Sequence, residues 1–176
     1  MIQLHDLRFK PFLSAQEIQT AVEKMAAQIQ ADHQAITPLF LGILNGSFMV
    51  TADLLKAYTA ACEVSFVKLA SYEGTSTTHE VKQLLGLNQD LKGRHVVVVE
   101  DIVDTGNTVV EIVNLLKDSG AASVKIATLF LKPEAYQKSI AIDYVALEIP
   151  NKFIVGYGLD YDGLGRNLPE VYQLAD

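Results

Sequence analysis

The chain has 176 residues, of which 49% are hydrophobic and 20% charged, with a net charge of −7 and one cysteine. A chain of this length buries roughly 70% of its unfolded surface, so one domain over residues 1–176 can hold its own core. The acidic balance excludes a general nucleic-acid binder, the lone Cys62 excludes a disulfide framework, and no apolar run reaches the length of a membrane span.

These features point to a cytoplasmic, reducing setting with neither nucleic acid nor membrane as a partner. The first residues also lack a basic region followed by an apolar one, so no secretory signal is expected. Cys62 lies in an apolar stretch and is expected in the core rather than as a nucleophile.

In chain order, residues 1–13 look like a short lead-in broken by Pro11. Ser14 and Glu17 have capping-box spacing. Ile18, Ala21, Val22, Met25, Ala26 and Ile29 then mark one face of an amphipathic helix ending near His33. Residues 39–44 read as a buried strand, residues 45–47 as a tight polar turn and residues 48–58 as a helix. A third strand is expected over 63–70, and the polar, aperiodic stretch 71–78 is the best candidate for a mobile loop. A strand or hairpin arm over 79–87 and a turn over 88–93 follow.

The next stretch, residues 95–108, concentrates the chemistry. Val96, Val97, Val98 and Val99 read as a strand buried on both faces. Glu100, Asp101 and Asp104 follow, then the small polar turn Thr105, Gly106, Asn107 and Thr108. Val109, Ile112, Val113 and Leu116 open a helix that stops near Gly120. A loop feeding a helix N-terminus suits a phosphate, because its N–H groups are unpaired and the helix dipole is positive there. Three carboxylates beside it repel the same anion. A sugar phosphate with bound Mg2+ reconciles the two, offering phosphate to the loop and hydroxyls or metal to the acids.

Further strands are expected over 123–131, 142–149 and 153–157, with a turn or short helix from Pro133 and an irregular tail over 160–176. Strands alternating with helices imply a doubly wound, mostly parallel α/β sheet. Its ligand site should lie at the strand carboxyl ends, where the turns after Leu44, Ala70, Val99 and Leu131 converge. The P-loop, dinucleotide and nucleophile-elbow motifs are absent, and His5, His33, His79 and His95 show no metal-ligand spacing. His79 sits near the loop and is expected to be solvated.

Residues 97–108 resemble the phosphoribosyl diphosphate (PRPP) signature of the type I phosphoribosyltransferases, and the wording over 100–106 resembles the hypoxanthine-guanine branch. The likeness extends over most of the chain. Residues 44–47 resemble the family's pyrophosphate turn, and Ser71 with Tyr72 the start of its mobile catalytic loop. Lys132 follows the strand that supplies the base-reading lysine. Residues 152–161 resemble the purine-binding segment, and Arg166 the arginine after it.

The resemblance implies a purine-salvage transfer of phosphoribose from PRPP to a 6-oxopurine, on a fold with a small hood from the C-terminal segment. It implies that Thr105, Gly106, Asn107 and Thr108 hold the 5′-phosphate. Glu100 and Asp101 would face the ribose hydroxyls, directly or through Mg2+, and Asp104 would act as acid or base at purine N7. Lys132 would donate to the 6-oxo oxygen, Phe153 would stack on the ring and the Ile154 backbone would read its edge. Asn45, Gly46, Ser47 and Arg166 would take pyrophosphate, and Asp160 a Mg2+ bound to it. The loop from Ser71 to about Leu85 would exclude water. The family turn carries a non-proline cis peptide, which falls at Leu44–Asn45, and commonly a basic residue where this chain has Asn45. Homodimers or homotetramers are implied. Two alternatives stay open: a phosphoribosyltransferase for another base, xanthine above all, and a non-catalytic PRPP-sensing regulator.

Overall fold

A computed structural model describes residues 1–72, 81–86 and 89–175. Its larger sheet carries five parallel strands in the order β4-β3-β6-β7-β8, namely β3 (Leu39–Ile43), β4 (Glu63–Tyr72), β6 (His95–Val103), β7 (Ser123–Leu131) and β8 (Tyr144–Glu148). A sixth strand, β5 (Val81–Leu85), pairs antiparallel with β4 at the sheet edge. Helices α1 (Ala15–Asp32) and α2 (Phe48–Ala57) cover one face and α3 (Asn107–Asp118) the other.

The four valines of β6 show why the sheet is covered twice. Val97 and Val99 pack with Phe40, Ile18, Val22 and Val50 on the α1–α2 side. Val96 and Val98 pack with Leu41, Ile112 and Leu116 on the α3 side. Successive strand residues point to opposite faces, so a run without polar alternation needs apolar cover on both. Each buried valine contributes about 1.5–3 kcal/mol.

α1 begins as its capping box directs. The Ser14 N–H donates to Glu17 at 2.9 Å, and the Ser14 hydroxyl accepts the Glu17 N–H at 3.3 Å. All six apolar positions of its stripe are buried. None of the described helices is long and apolar enough to cross a membrane.

Three expectations are corrected. Residues 1–13 are not a lead-in: β1 (Ile2–Leu4) and β2 (Leu7–Leu13) form an antiparallel sheet with β10 (Val171–Leu174) and β9 (Ile154–Val155), in the order β1-β2-β10-β9. The tail is therefore partly a strand, and both ends of the chain complete one small sheet. Pro11 is tolerated because the register shifts beside it, where Val171 faces Leu13 and Tyr172 faces Pro11. A bulge accommodates the missing N–H. Finally, β6 runs on to Val103, because the equally long β7 keeps pairing, with Glu100 opposite Thr128 and Val103 opposite Leu131. Glu100 and Asp101 thus lie inside the strand instead of beyond it.

Candidate active site

The loop between β6 and α3 is shaped by Gly106, whose φ of 80° is left-handed and whose Cα lies against the Tyr136 ring. A side chain there would strain the backbone and strike that ring. Gly106 is the N-cap of α3 and no side chain caps the helix, so its first N–H groups stay open to an anion. Thr105, Gly106, Asn107 and Thr108 line a cavity of about 100 Å³ together with Glu100 and Asp104.

The acids beside the cavity differ in environment. Glu100 is 5% exposed and its Oε1 has no partner. Burial, helped by neighbouring Asp101, pushes its carboxyl well above the usual range. Asp101 accepts the Ile102 N–H at 2.9 Å. Burial raises its pKa as well, opposed by backbone hydrogen bonds and by the Arg166 charge. Two adjacent carboxyls with raised pKa values, Glu100 buried with an orphaned oxygen and Asp101 half-buried, are suited to a hard cation. No three His, Cys, Asp or Glu groups converge as a metal centre among the described residues. The donor set therefore fits Mg2+ that takes one or two carboxylates and fills its remaining positions from phosphate and water.

Asp104 makes an ion pair with Lys132, 2.8 Å from Nζ to Oδ2. Lys132 is buried and is not a solvated surface lysine. Its N–H donates to the Val103 carbonyl at 3.0 Å, and its own carbonyl accepts from Ala135 and Tyr136. Ile154 is buried on β9. Phe153, just before it, is 43% exposed. Its ring lies 5.8 Å from Tyr161, edge-on, and 5.9 Å from Phe9. Phe153 is therefore an open aromatic surface supported from behind, not a core residue.

The turn at residues 44–47 meets the tail at close quarters. The Leu44–Asn45 peptide is cis. The Gly46 Cα abuts the Asp101 carboxylate, and Gly158 in turn abuts the Gly46 carbonyl, so neither glycine has room for a methyl group. Ser47 is fully buried and its hydroxyl has no partner. Arg166 donates from Nη1 to the Gly158 carbonyl at 2.7 Å and pairs through Nη2 with Asp160 at 2.6 Å. The other Asp160 oxygen accepts the Gly163 N–H at 2.7 Å.

Ser71 and Tyr72 end β4, their backbones paired with Lys82 and Val81. Residues 73–80, His79 among them, lie outside the described residues. Sequence reasoning missed Tyr136 and Gly158. No spacing marks either one, because both matter through contacts with residues 30 or more positions away.

A family model described as a phosphoribosyl transferase domain matches residues 11–162. A hypoxanthine-guanine phosphoribosyltransferase of Streptococcus pneumoniae is 43% identical over 168 residues, 95% of this chain and 93% of the relative. One of Streptococcus pyogenes is 42% identical over the same shares. A solved hypoxanthine phosphoribosyltransferase of Staphylococcus aureus superposes with a TM-score of 0.86 at 34% identity, covering 97% of this chain and 92% of that one. A Trypanosoma cruzi hypoxanthine phosphoribosyltransferase, solved as a ternary substrates complex, gives 0.84 at 32% identity, covering 98% and 97%.

Proposed function

The chain belongs to the phosphoribosyl transferase family, and from that premise we propose that it transfers the 5-phosphoribosyl group of PRPP to hypoxanthine and guanine in purine salvage. The observation that carries this reading is the Lys132–Asp104 pair at the rim of the phosphate cavity. It sets a hydrogen-bond donor and a proton acceptor side by side, where a 6-oxopurine presents an oxo oxygen and N7.

The residues divide the work. The open N–H groups of residues 105–108 hold the 5′-phosphate. Glu100 and Asp101 accept from the ribose hydroxyls or face Mg2+. When bound, Mg2+ supplies positive charge to the diphosphate and its developing negative charge. Lys132 has only donors to offer, so it favours an oxo group over the amino group of adenine. Asp104 holds or releases the proton at N7. Phe153 covers one face of the base and the Ile154 backbone reads its edge.

A purine nitrogen forms its bond to the anomeric carbon as the carbon–oxygen bond to pyrophosphate breaks. The amides of Gly46 and Ser47, with the planar guanidinium of Arg166, receive the leaving group. Asn45 brings no charge to that turn, so Arg166 and Mg2+ carry more of the task. Asp160, already paired with Arg166, orients it and offers a carboxylate towards the metal. Residues 1–176 act as one domain, in a cytoplasmic homodimer or homotetramer.

Hypoxanthine, guanine, xanthine, adenine and uracil, each incubated with PRPP and Mg2+ and followed by ultraviolet absorbance, test the reading. Turnover is expected with the first two. Absence of turnover on every base overturns the assignment, and turnover on xanthine alone moves it to a neighbouring specificity.

A further inference from the structure

The phosphate cradle has a charge deficit. Thr105, Gly106, Asn107 and Thr108 include no cation, and the cavity they line also contains Glu100 and Asp104. The two cations nearest the chemistry are engaged: Lys132 pairs with Asp104, and Arg166 with Asp160 and the Gly158 carbonyl. N–H groups and a helix dipole equivalent to about half a charge leave most of the charge of a phosphate dianion unbalanced.

One uncommitted lysine lies against this loop. A methyl group built on Gly106 would stand 3.0 Å from Cγ of Lys138, so the aliphatic stem of Lys138 lies along the loop. Lys138 is exposed and has no ion-pair partner among the described residues. Its placement is fixed by Tyr136, whose ring also covers Gly106 and whose hydroxyl donates to the Ile140 carbonyl at 2.5 Å. That bond closes the chain on both sides of Lys138. The same segment starts at Lys132, whose carbonyl accepts the Tyr136 N–H at 3.1 Å. One short strap thus joins Lys132 to the loop that opens α3.

We infer that Lys138 supplies the positive charge missing from the cradle and selects a phosphorylated ribose through its ammonium group. The inference rests on the proposed phosphoribosyl transfer and adds a substrate-contacting residue to it. The ammonium lies three bonds beyond Cγ on a flexible stem, which lets it follow the phosphate without leaving Gly106.

The experiment is calorimetric titration of the full chain with inosine monophosphate, for wild type, Lys138→Ala and Lys138→Arg, repeated at raised salt. Removing the ammonium should weaken binding about three- to tenfold, the scale of a partly solvated charge pair. Arginine should restore most of the loss. Wild-type affinity should also fall more steeply with salt than that of Lys138→Ala. In turnover, Lys138→Ala should raise the KM for PRPP by a larger factor than the KM for hypoxanthine. Wild-type binding matched within twofold by Lys138→Ala overturns the inference and leaves the proposed function standing. An equal loss in both variants also overturns it, since packing rather than charge would then be responsible. Wild type that binds no nucleoside monophosphate and turns over no base sinks both.

Discussion

The proposed phosphate side of the site is written in consecutive residues, whereas the proposed pyrophosphate side is assembled from distant ones. Glu100, Asp101, Asp104 and residues 105–108 follow each other along β6 and into α3. Opposite them, the turn at residues 44–47 meets Gly158, Asp160 and Arg166, more than 100 positions away. The first region is specified locally by strand pairing, a left-handed glycine and an uncapped helix start. The second is specified by contact, with Gly46 against Asp101 and Gly158 against Gly46. A local design tolerates changes elsewhere in the chain, while an assembled one fails when a single methyl group separates its parts.

The largest effect is expected on the local side, where one side chain, Asp104, is proposed to carry the proton. Asp104→Asn should lower kcat by about two to four orders of magnitude, the usual contribution of a general acid or base. PRPP affinity should change far less than kcat, since residues 105–108 and the proposed ribose-facing acids keep their own side chains. Pre-steady-state turnover and PRPP binding, measured on the same preparation, check the separation. Equal losses in both would join Asp104 to binding and blur the distinction between the regions.

On the assembled side, Gly158→Ala should cost about a hundredfold in turnover, because its Cβ would drive into the Gly46 carbonyl and displace the turn. The φ of 99° adds strain of its own. Pyrophosphate inhibition should weaken in parallel, while binding of inosine monophosphate changes much less. A milder break is Arg166→Lys, which keeps the charge but cannot both grip the Gly158 carbonyl and pair with Asp160 in one plane. Roughly a tenfold rise in the KM for PRPP is expected, with kcat less affected. A hundredfold loss from this substitution would mean that Asn45 has left Arg166 as the principal charge on pyrophosphate.

The same contrast explains what was legible in the sequence. The four valines and the capping box of α1 are local patterns, and both appear where the spacing put them; the acidic stretch also precedes α3, but Glu100 and Asp101 lie within β6. The strand boundary was misjudged because its extent depends on β7, which keeps pairing past the valines. The small sheet was invisible because its strands come from opposite ends of the chain and Pro11 argues against one of them. Tail anchors such as the Tyr161 hydroxyl on Asp6, 2.8 Å, and the Tyr157 hydroxyl on Asp53, 2.5 Å, join residues over 100 positions apart. Tyr136 and Lys138 left no periodic trace, since their partner is the Cα of a glycine. Lys132 and Arg166 could be nominated only by likeness to a family, because a single basic residue after a strand or in a tail has no signature.

Glu100 belongs to the local region, yet its Oε1 finds no partner there. Its carboxyl is held well above the ordinary 4.5 by burial, so the folded state retains a proton that the unfolded chain releases. Stability therefore falls as pH rises, since the native state binds more protons than the unfolded one. The cost is absent below about 4.5, grows as pH passes that value, and is complete only above the raised folded pKa. Glu100→Gln removes the titrating group. The variant should melt close to wild type near pH 4.5 and above it at neutral pH, with the gap widening between. Mg2+ with PRPP should reverse the order, because a cation beside the unpartnered oxygen stabilises the charged form that only wild type can adopt. Thermal melts across pH, with and without the ligand, decide the point. Parallel curves for the two proteins would mean that Glu100 is charged and compensated in the free protein, and that the stretch is complete without its metal.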